Sequence, residues 1–396
     1  MNRTTITLAL ILILAIAGGV AWYFLKPLAV PTSPSGQTNG LPDIGGRGGA
    51  GGADTGGSGG FGTGTNGETA PGVSLRQIID EPILAATVSA DGKSLYYLLR
   101  ENGHIMTSSL DGTNEQSLTN LTILETFDGL WSPKKTKLAV WYADSGVAKA
   151  FLHETSTSSP SRVLPTGITS LAWSPDGLNI AYLVPQGEKT NLVIADANNK
   201  NARTVYSTPI PDFTVQWTAK NTILLVSRPS GLAPSLVMSI NPNTKASSVL
   251  LSDISGVVTA SFPNGSGFLF SQSNPNGKAL ALSLFTLKDS LTTAINQITI
   301  ADKCVFSPDS KKLYCGIPQG TIPSPSPDMW YRGEVSFSDA ILEIDLATNQ
   351  ATTLTDTTLA DIDMISLFTT TDGKNIFFID KKTSTLWRLT LEAEQR

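Results

Sequence analysis

One short unit recurs seven times along the 396-residue chain, and it constrains the fold more than any other feature. A four-residue turn is followed each time by an apolar strand. The copies are Ser89-Ala-Asp-Gly before KSLYYLL, Ser132-Pro-Lys-Lys before TKLAVWY, Ser174-Pro-Asp-Gly before LNIAYLV and Thr218-Ala-Lys-Asn before TILLVS. Phe262-Pro-Asn-Gly before SGFLFS, Ser307-Pro-Asp-Ser before KKLYCGI and Thr370-Thr-Asp-Gly before KNIFFID complete the series. Successive copies start 43, 42, 44, 44, 45 and 63 residues apart. Pro presets φ, Asp bonds to its own backbone two residues on, and Gly takes a positive φ, so each turn closes a hairpin. A strand ending in a bulky residue, Trp131, Trp173, Trp217 or Phe306, precedes the turn and is expected to pack between neighbouring units. A third strand and a weaker, more polar fourth follow it. Four short strands in a low-forties period make one blade of a β-propeller.

The last copy supplies only three strands before the chain ends. Val73–Ile79 is a spare strand with no turn of its own. Pairing it with the last copy predicts an all-β, seven-bladed propeller closed by its two ends.

What precedes the repeat differs in kind. Ile6–Leu25 is an uncharged apolar run, long enough to cross a bilayer, with Trp22 and Tyr23 at one end. Ala15-Ile16-Ala17 has the look of a cleavage site, yet the run continues past it and is long for a signal peptide. Residues 1–25 therefore read as an uncleaved transmembrane anchor, 26–72 as a Pro- and Gly-rich linker, and 73–396 as the propeller. This order places the propeller outside the cytoplasm, at the cell surface or in the periplasm. A net charge of −5 offers no basic field for nucleic acid.

Trp173-Ser-Pro-Asp-Gly and its I-A-Y strand resemble the WD-like propeller repeats of the TolB family. The likeness covers 73–392 as a repeat pattern. It implies a face offered to a protein or peptide partner, and it transfers no specific residue.

Three features lie outside the repeat. The long spacing marks an insertion, Ile317–Asp339, carrying Trp330, Tyr331, Arg332 and Phe337. Aromatic residues beside an arginine have the composition of a binding hot spot; alternatively they fold back to cap one mouth of the channel. Asp80, Glu125, Asp212, Asp302 and Asp361 precede the innermost strands. They could ring the channel mouth and hold a cation or a basic peptide, or be ordinary solvated loop residues. Cys304 and Cys315 flank one turn and would face each other if the strands pair symmetrically about it. A disulfide and two free thiols both stay open.

Enzyme signatures are scarce. His104 and His153 read as surface strand residues, no Gly-x-Ser-x-Gly elbow occurs, and no zinc or nucleotide motif is present. The sequence thus points to a non-enzymatic, membrane-tethered binding module without metal or cofactor. The alternative is an extracytoplasmic enzyme acting on glycans or lactones in the channel with a bound divalent metal.

Overall fold

The computed structural model describes residues 70, 72–119, 121–155, 162–356 and 360–391. The anchor and nearly all of the linker lie outside them. Among the described residues no helix is long and apolar enough to cross a membrane.

The fold is all-β and propeller-like, an array of small antiparallel sheets. The first holds Ile83–Val88, Ser94–Leu99, Ile105–Ser109 and Gln116–Ser117. The second holds Thr126–Trp131, Lys137–Asp144, Val147–Glu154 and Arg162–Val163. The third holds Ser170–Trp173, Asn179–Gln186, Lys189–Asp196 and Arg203–Thr208. A seven-stranded sheet follows, with Phe213–Ala219, Thr222–Ser227, Pro234–Ile240, Ser247–Ser261, Gly267–Ser273, Leu280–Thr286 and Leu291–Ile295. Next come Cys304–Phe306, Lys312–Pro318, Asp339–Asp345 and Ala351–Thr355. The last sheet is ordered Val73–Ile79, Leu386–Leu391, Asn375–Asp380, Met364–Thr369.

The seven-stranded sheet departs from the simple repeat. Ser247–Ser261 is one continuous strand that serves as the outer strand of the fourth copy and the inner strand of the fifth. Gly256 makes the passage with φ +68. A Cβ there would stand 2.6 Å from Ser273 Oγ, so the position requires glycine.

The turns explain why the repeat is visible. The Ser89, Ser174, Ser307 and Thr370 hydroxyls donate to Asp91, Asp176, Asp309 and Asp372, at 2.6, 2.6, 2.7 and 2.5 Å. Each carboxylate also accepts a backbone N–H two residues on. These bonds hold the four carboxyls below the ordinary aspartate range.

The bulky residues before the turns do stitch neighbouring sheets together. Tyr96 and Trp131 rings lie 5.7 Å apart, Phe262 and Phe306 rings 4.6 Å apart, and Trp173 Nε1 donates to Leu130 O at 3.1 Å. Each hydrophobic cluster draws on two successive units. Ala139, Leu152, Ile180 and Val193 join the second and third sheets, and Ile79, Leu95, Tyr97 and Phe377 join the last to the first.

Val73–Ile79 pairs antiparallel with Leu386–Leu391, from Val73 opposite Leu391 to Ile79 opposite Leu386. Deleting Val73–Ile79 bares that strand as an unpaired edge and removes buried Ile79 from the core. The expected result is a loss of at least about 3 kcal/mol of stability and concentration-dependent aggregation. Denaturant unfolding and light scattering of the deletion variant check it.

Cys304 stands directly opposite Cys315 in the ladder, and the two form a disulfide with Cα atoms 4.1 Å apart. Of the two outcomes the sequence left open, the bridge is the one adopted.

Candidate functional site

Chain direction alone decides what shares an end of the fold. In an up-and-down sheet, the loop entering the first strand and the loop leaving the second lie at the same end. A recurring hydrogen bond marks this end. The N–H at or just past the end of the second strand donates to the carbonyl before the first, as Arg100 to Pro82, Ala143 to Glu125, Arg228 to Asp212 and Lys381 to Asp363. The five acids singled out in the sequence and the insertion therefore belong to one face.

The insertion is not an exposed binding loop. Trp330 and Phe337 are buried, with Trp330 in a short helix, Asp328–Tyr331. Buried Lys303 binds Asp339 at 2.6 Å and Asp363 at 2.5 Å. Trp330 Nε1 donates to both Asp363 oxygens at 3.0 Å, and the Phe337 N–H donates to Asp363 Oδ2 at 3.0 Å. The Lys303 ammonium also sits 5.0 Å from the Trp330 ring centroid and 5.4 Å from that of Phe337. Further out, Asp328 accepts from Ser230 Oγ at 2.8 Å and from the Gly231 N–H at 2.6 Å. Ser326 N–H donates to Gly277 O at 2.9 Å. The insertion thus runs across the face from the Asp339–Asp345 strand to the Arg228–Gly231 loop. Arg332 is exposed and pairs with Glu334.

Beneath it lies a cavity of about 860 Å³. Its walls include Asp128, Thr214, Val258, Asp302 and Ile365, contributed by the inner strands or their lead-in turns of several successive units. Such convergence is the geometry of sheets arranged around an axis. Tyr331, Lys381 and Arg228 are also among the polar residues that line it. Tyr331 Oη donates to Asp302 Oδ2 at 2.5 Å. Tyr331 is 42 % exposed and Asp302 is exposed as well, although protein groups crowd around both. That enclosure pushes the Asp302 carboxyl above the usual aspartate value, against the opposing pull of the Tyr331 hydrogen bond and of Lys303. It holds the Tyr331 hydroxyl protonated well beyond its ordinary range, helped by the Asp302 charge. Burial likewise raises Asp128 and lowers Lys381. Lys381 Nζ donates to Trp330 O and lies 4.3 Å from its ring centroid. No described side chain pairs with the Arg228 guanidinium.

A second cleft, of about 650 Å³, shares Asp128, Leu130, Thr214 and Arg228 with the first. Asp212 lines it, and Asp302 lines the main cavity. Asp80 and Glu125 are exposed and line neither, while Asp361 is taken by Lys382 at 2.5 Å and by the Ser338 hydroxyl. The acids do not form one ring. Among the described residues no three His, Cys, Asp or Glu gather to hold a metal. Asp302 is engaged by Tyr331, and Asp339 with Asp363 by Lys303. His153 is buried rather than on the surface, and His104 precedes its strand and hydrogen-bonds Thr122 at 2.8 Å.

Arg228, Lys381 and Asp128 were not singled out in the sequence. The usable signal is positional: Arg228 and Lys381 each directly follow a second strand, at the end where the acids lie.

No known family model matches the chain, and no curated protein matches it. Solved structures do match. An oligogalacturonate lyase in complex with manganese superposes at TM-score 0.57, with 12 % identity over 81 % of this chain and 91 % of that one. The oligogalacturonate lyase of Vibrio parahaemolyticus gives TM-score 0.58, 9 % identity, and 83 % and 100 % coverage. The tricorn protease gives TM-score 0.54 and 10 % identity over 83 % of this chain and 36 % of that one. Identities this low establish the propeller-like fold alone. They nevertheless correct the expectation of a non-enzymatic module that binds a protein or peptide. Two of these structures are lyases, and the enzyme alternative fits them better. Among the described residues the donor set does not fit the metal half of that alternative.

Proposed function

We propose that the chain is an enzyme that cleaves acidic glycan chains by elimination in the channel. The single observation that carries this reading is the Tyr331–Asp302 pair, 2.5 Å long, in a cavity that also presents Arg228, whose guanidinium has no partner among the described side chains. A free guanidinium is a fitting receptor for a sugar carboxylate. Enzymes with this fold that act on oligogalacturonate support the substrate class.

In the elimination, Asp302 removes the proton on the carbon next to the sugar carboxylate. The electron pair becomes a carbon–carbon double bond as the glycosidic C–O bond breaks. Tyr331 gives its proton to the departing oxygen. Arg228 stabilises the charge that builds on the carboxylate. Protonated Asp302 then returns the proton to the Tyr331 oxygen along their hydrogen bond, so the pair resets itself and no water is consumed. The raised Asp302 is a stronger base than an ordinary carboxylate, and the enclosed Tyr331 keeps its proton until it is needed.

The rest of the architecture enters the same proposal. The long strand Ser247–Ser261 belongs to two blades, so the sheets count as seven, with Val73–Ile79 closing the ring. Residues 1–25 anchor the chain in a membrane, and 26–72 hold the propeller off it, outside the cytoplasm. Full-length protein assayed on uronate and on neutral oligosaccharides tests the function. Turnover of the uronate chains alone is expected, with Arg228→Gln lowering kcat/KM roughly 100-fold. Equal turnover of neutral chains would contradict it.

A further inference from the structure

We infer that the cleft beside Phe127 is an outer subsite for further sugar units of the same glycan, which makes the enzyme favour longer chains over disaccharides. This rests on the glycan reading of the channel.

The strand Thr126–Trp131 carries a bulge between Thr126 and Asp128: Thr126 stands opposite Tyr142 and Asp128 opposite Trp141, with Phe127 left over. An extra residue breaks the alternation of side chains and re-aims them. Phe127 and Asp128 consequently both line the cleft. Phe127 is 49 % exposed, an unusual state for a phenylalanine one residue away from buried Thr126. Its backbone is pinned on the lead-in side: the Thr126 hydroxyl donates to Ile123 O at 2.8 Å, and the Ala143 N–H donates to Glu125 O at 3.0 Å. A large apolar ring held open by a fixed bulge is a platform. Around it stand Pro211 and Ile168, with the Asp212 carboxylate, Thr169 and Arg228 as hydrogen-bonding groups. An apolar face beside acceptors and donors matches a sugar ring, whose carbon face stacks while its hydroxyl edge bonds.

Continuity selects the occupant. The cleft and the main cavity share Asp128, Leu130, Thr214 and Arg228 in their walls, so a chain with one carboxylate on Arg228 can extend toward Phe127.

The test is a length series, uronate di- to hexasaccharides, on the full chain and on Phe127→Ala and Phe127→Trp. For the native protein KM falls as the chain lengthens. Phe127→Ala is expected to lose that gain, raising KM for the longer chains roughly three- to tenfold with kcat unchanged and disaccharide turnover intact. Phe127→Trp is expected to keep it. If Phe127→Ala retains the full length dependence, or loses disaccharide turnover as well, the outer subsite is refuted while the channel chemistry stands. If the native protein turns over no uronate of any length, both fall.

Discussion

Replacing Lys303 with methionine should cost about 3–5 kcal/mol of stability and loosen the insertion, the largest stability effect expected of any single substitution here. Lys303 is fully buried between Asp339 and Asp363, which are also buried. Desolvation makes the intact cluster a weak source of net stability, but removing one member leaves two uncompensated carboxylates in the interior. The same carboxylates hold Trp330 and Phe337 of the insertion and the Met364 N–H. Urea unfolding gives the cost, and limited proteolysis within Ile317–Asp339 gives the loosening.

The pH dependence separates this mechanism from a simple packing defect. Burial already pushes Asp339 up to about 6 in the native protein, against the pull of Lys303. A raised folded value favours the protonated form. The stability linked to Asp339 is therefore complete below its ordinary value of 3.8 and is lost as pH rises to about 6. Without Lys303 the Asp339 carboxyl loses that pull and rises further, so the Lys303→Met deficit should shrink as pH falls from 7 toward 5. A deficit that stays constant over that span would assign the loss to packing alone.

The second large effect is on catalysis. Tyr331→Phe keeps the ring and removes only the hydroxyl, and kcat/KM is expected to fall roughly 100- to 10,000-fold. Tyr331 and Asp302 beside it are both exposed, so the fold should tolerate the change. Asp302 must be ionised to take a proton. Because its enclosure raises it, native activity should fall on the acid side at a pH above the ordinary aspartate value of 3.8. Tyr331 stays protonated far into the alkaline range, so no fall is expected from it near neutrality. A pH–rate profile of the native protein and Tyr331→Phe checks both statements.

The repeat was legible because its cause is local. Four residues such as Ser174-Pro-Asp-Gly close a turn by bonds among themselves, so the pattern survives wherever the chain goes. The spare strand Val73–Ile79 followed from counting strands, and the facing of Cys304 and Cys315 from the symmetry of one hairpin, while their bridging did not follow from it. The site was hidden because it is assembled from distant units. Lys303 looks like a surface lysine before a strand, and only the fold brings Asp339 and Asp363 to it, the latter 60 residues away. Folding back of Trp330 and Phe337 was one of two readings the sequence left open, but the prolines before them gave no sign of the short helix or of the buried Asp363 that holds it. Arg228 and Phe127 carry no motif. One matters because it follows a second strand, the other because a bulge turns it outward.

The elimination chemistry is tested most directly by the masses of the products formed from a uronate oligosaccharide by the full-length protein. Fragments whose masses add up to that of the substrate, one of them unsaturated, with formation lost in Tyr331→Phe, are the predicted outcome. Fragments heavier by one water, an untouched substrate, or an equally active Tyr331→Phe protein would contradict it.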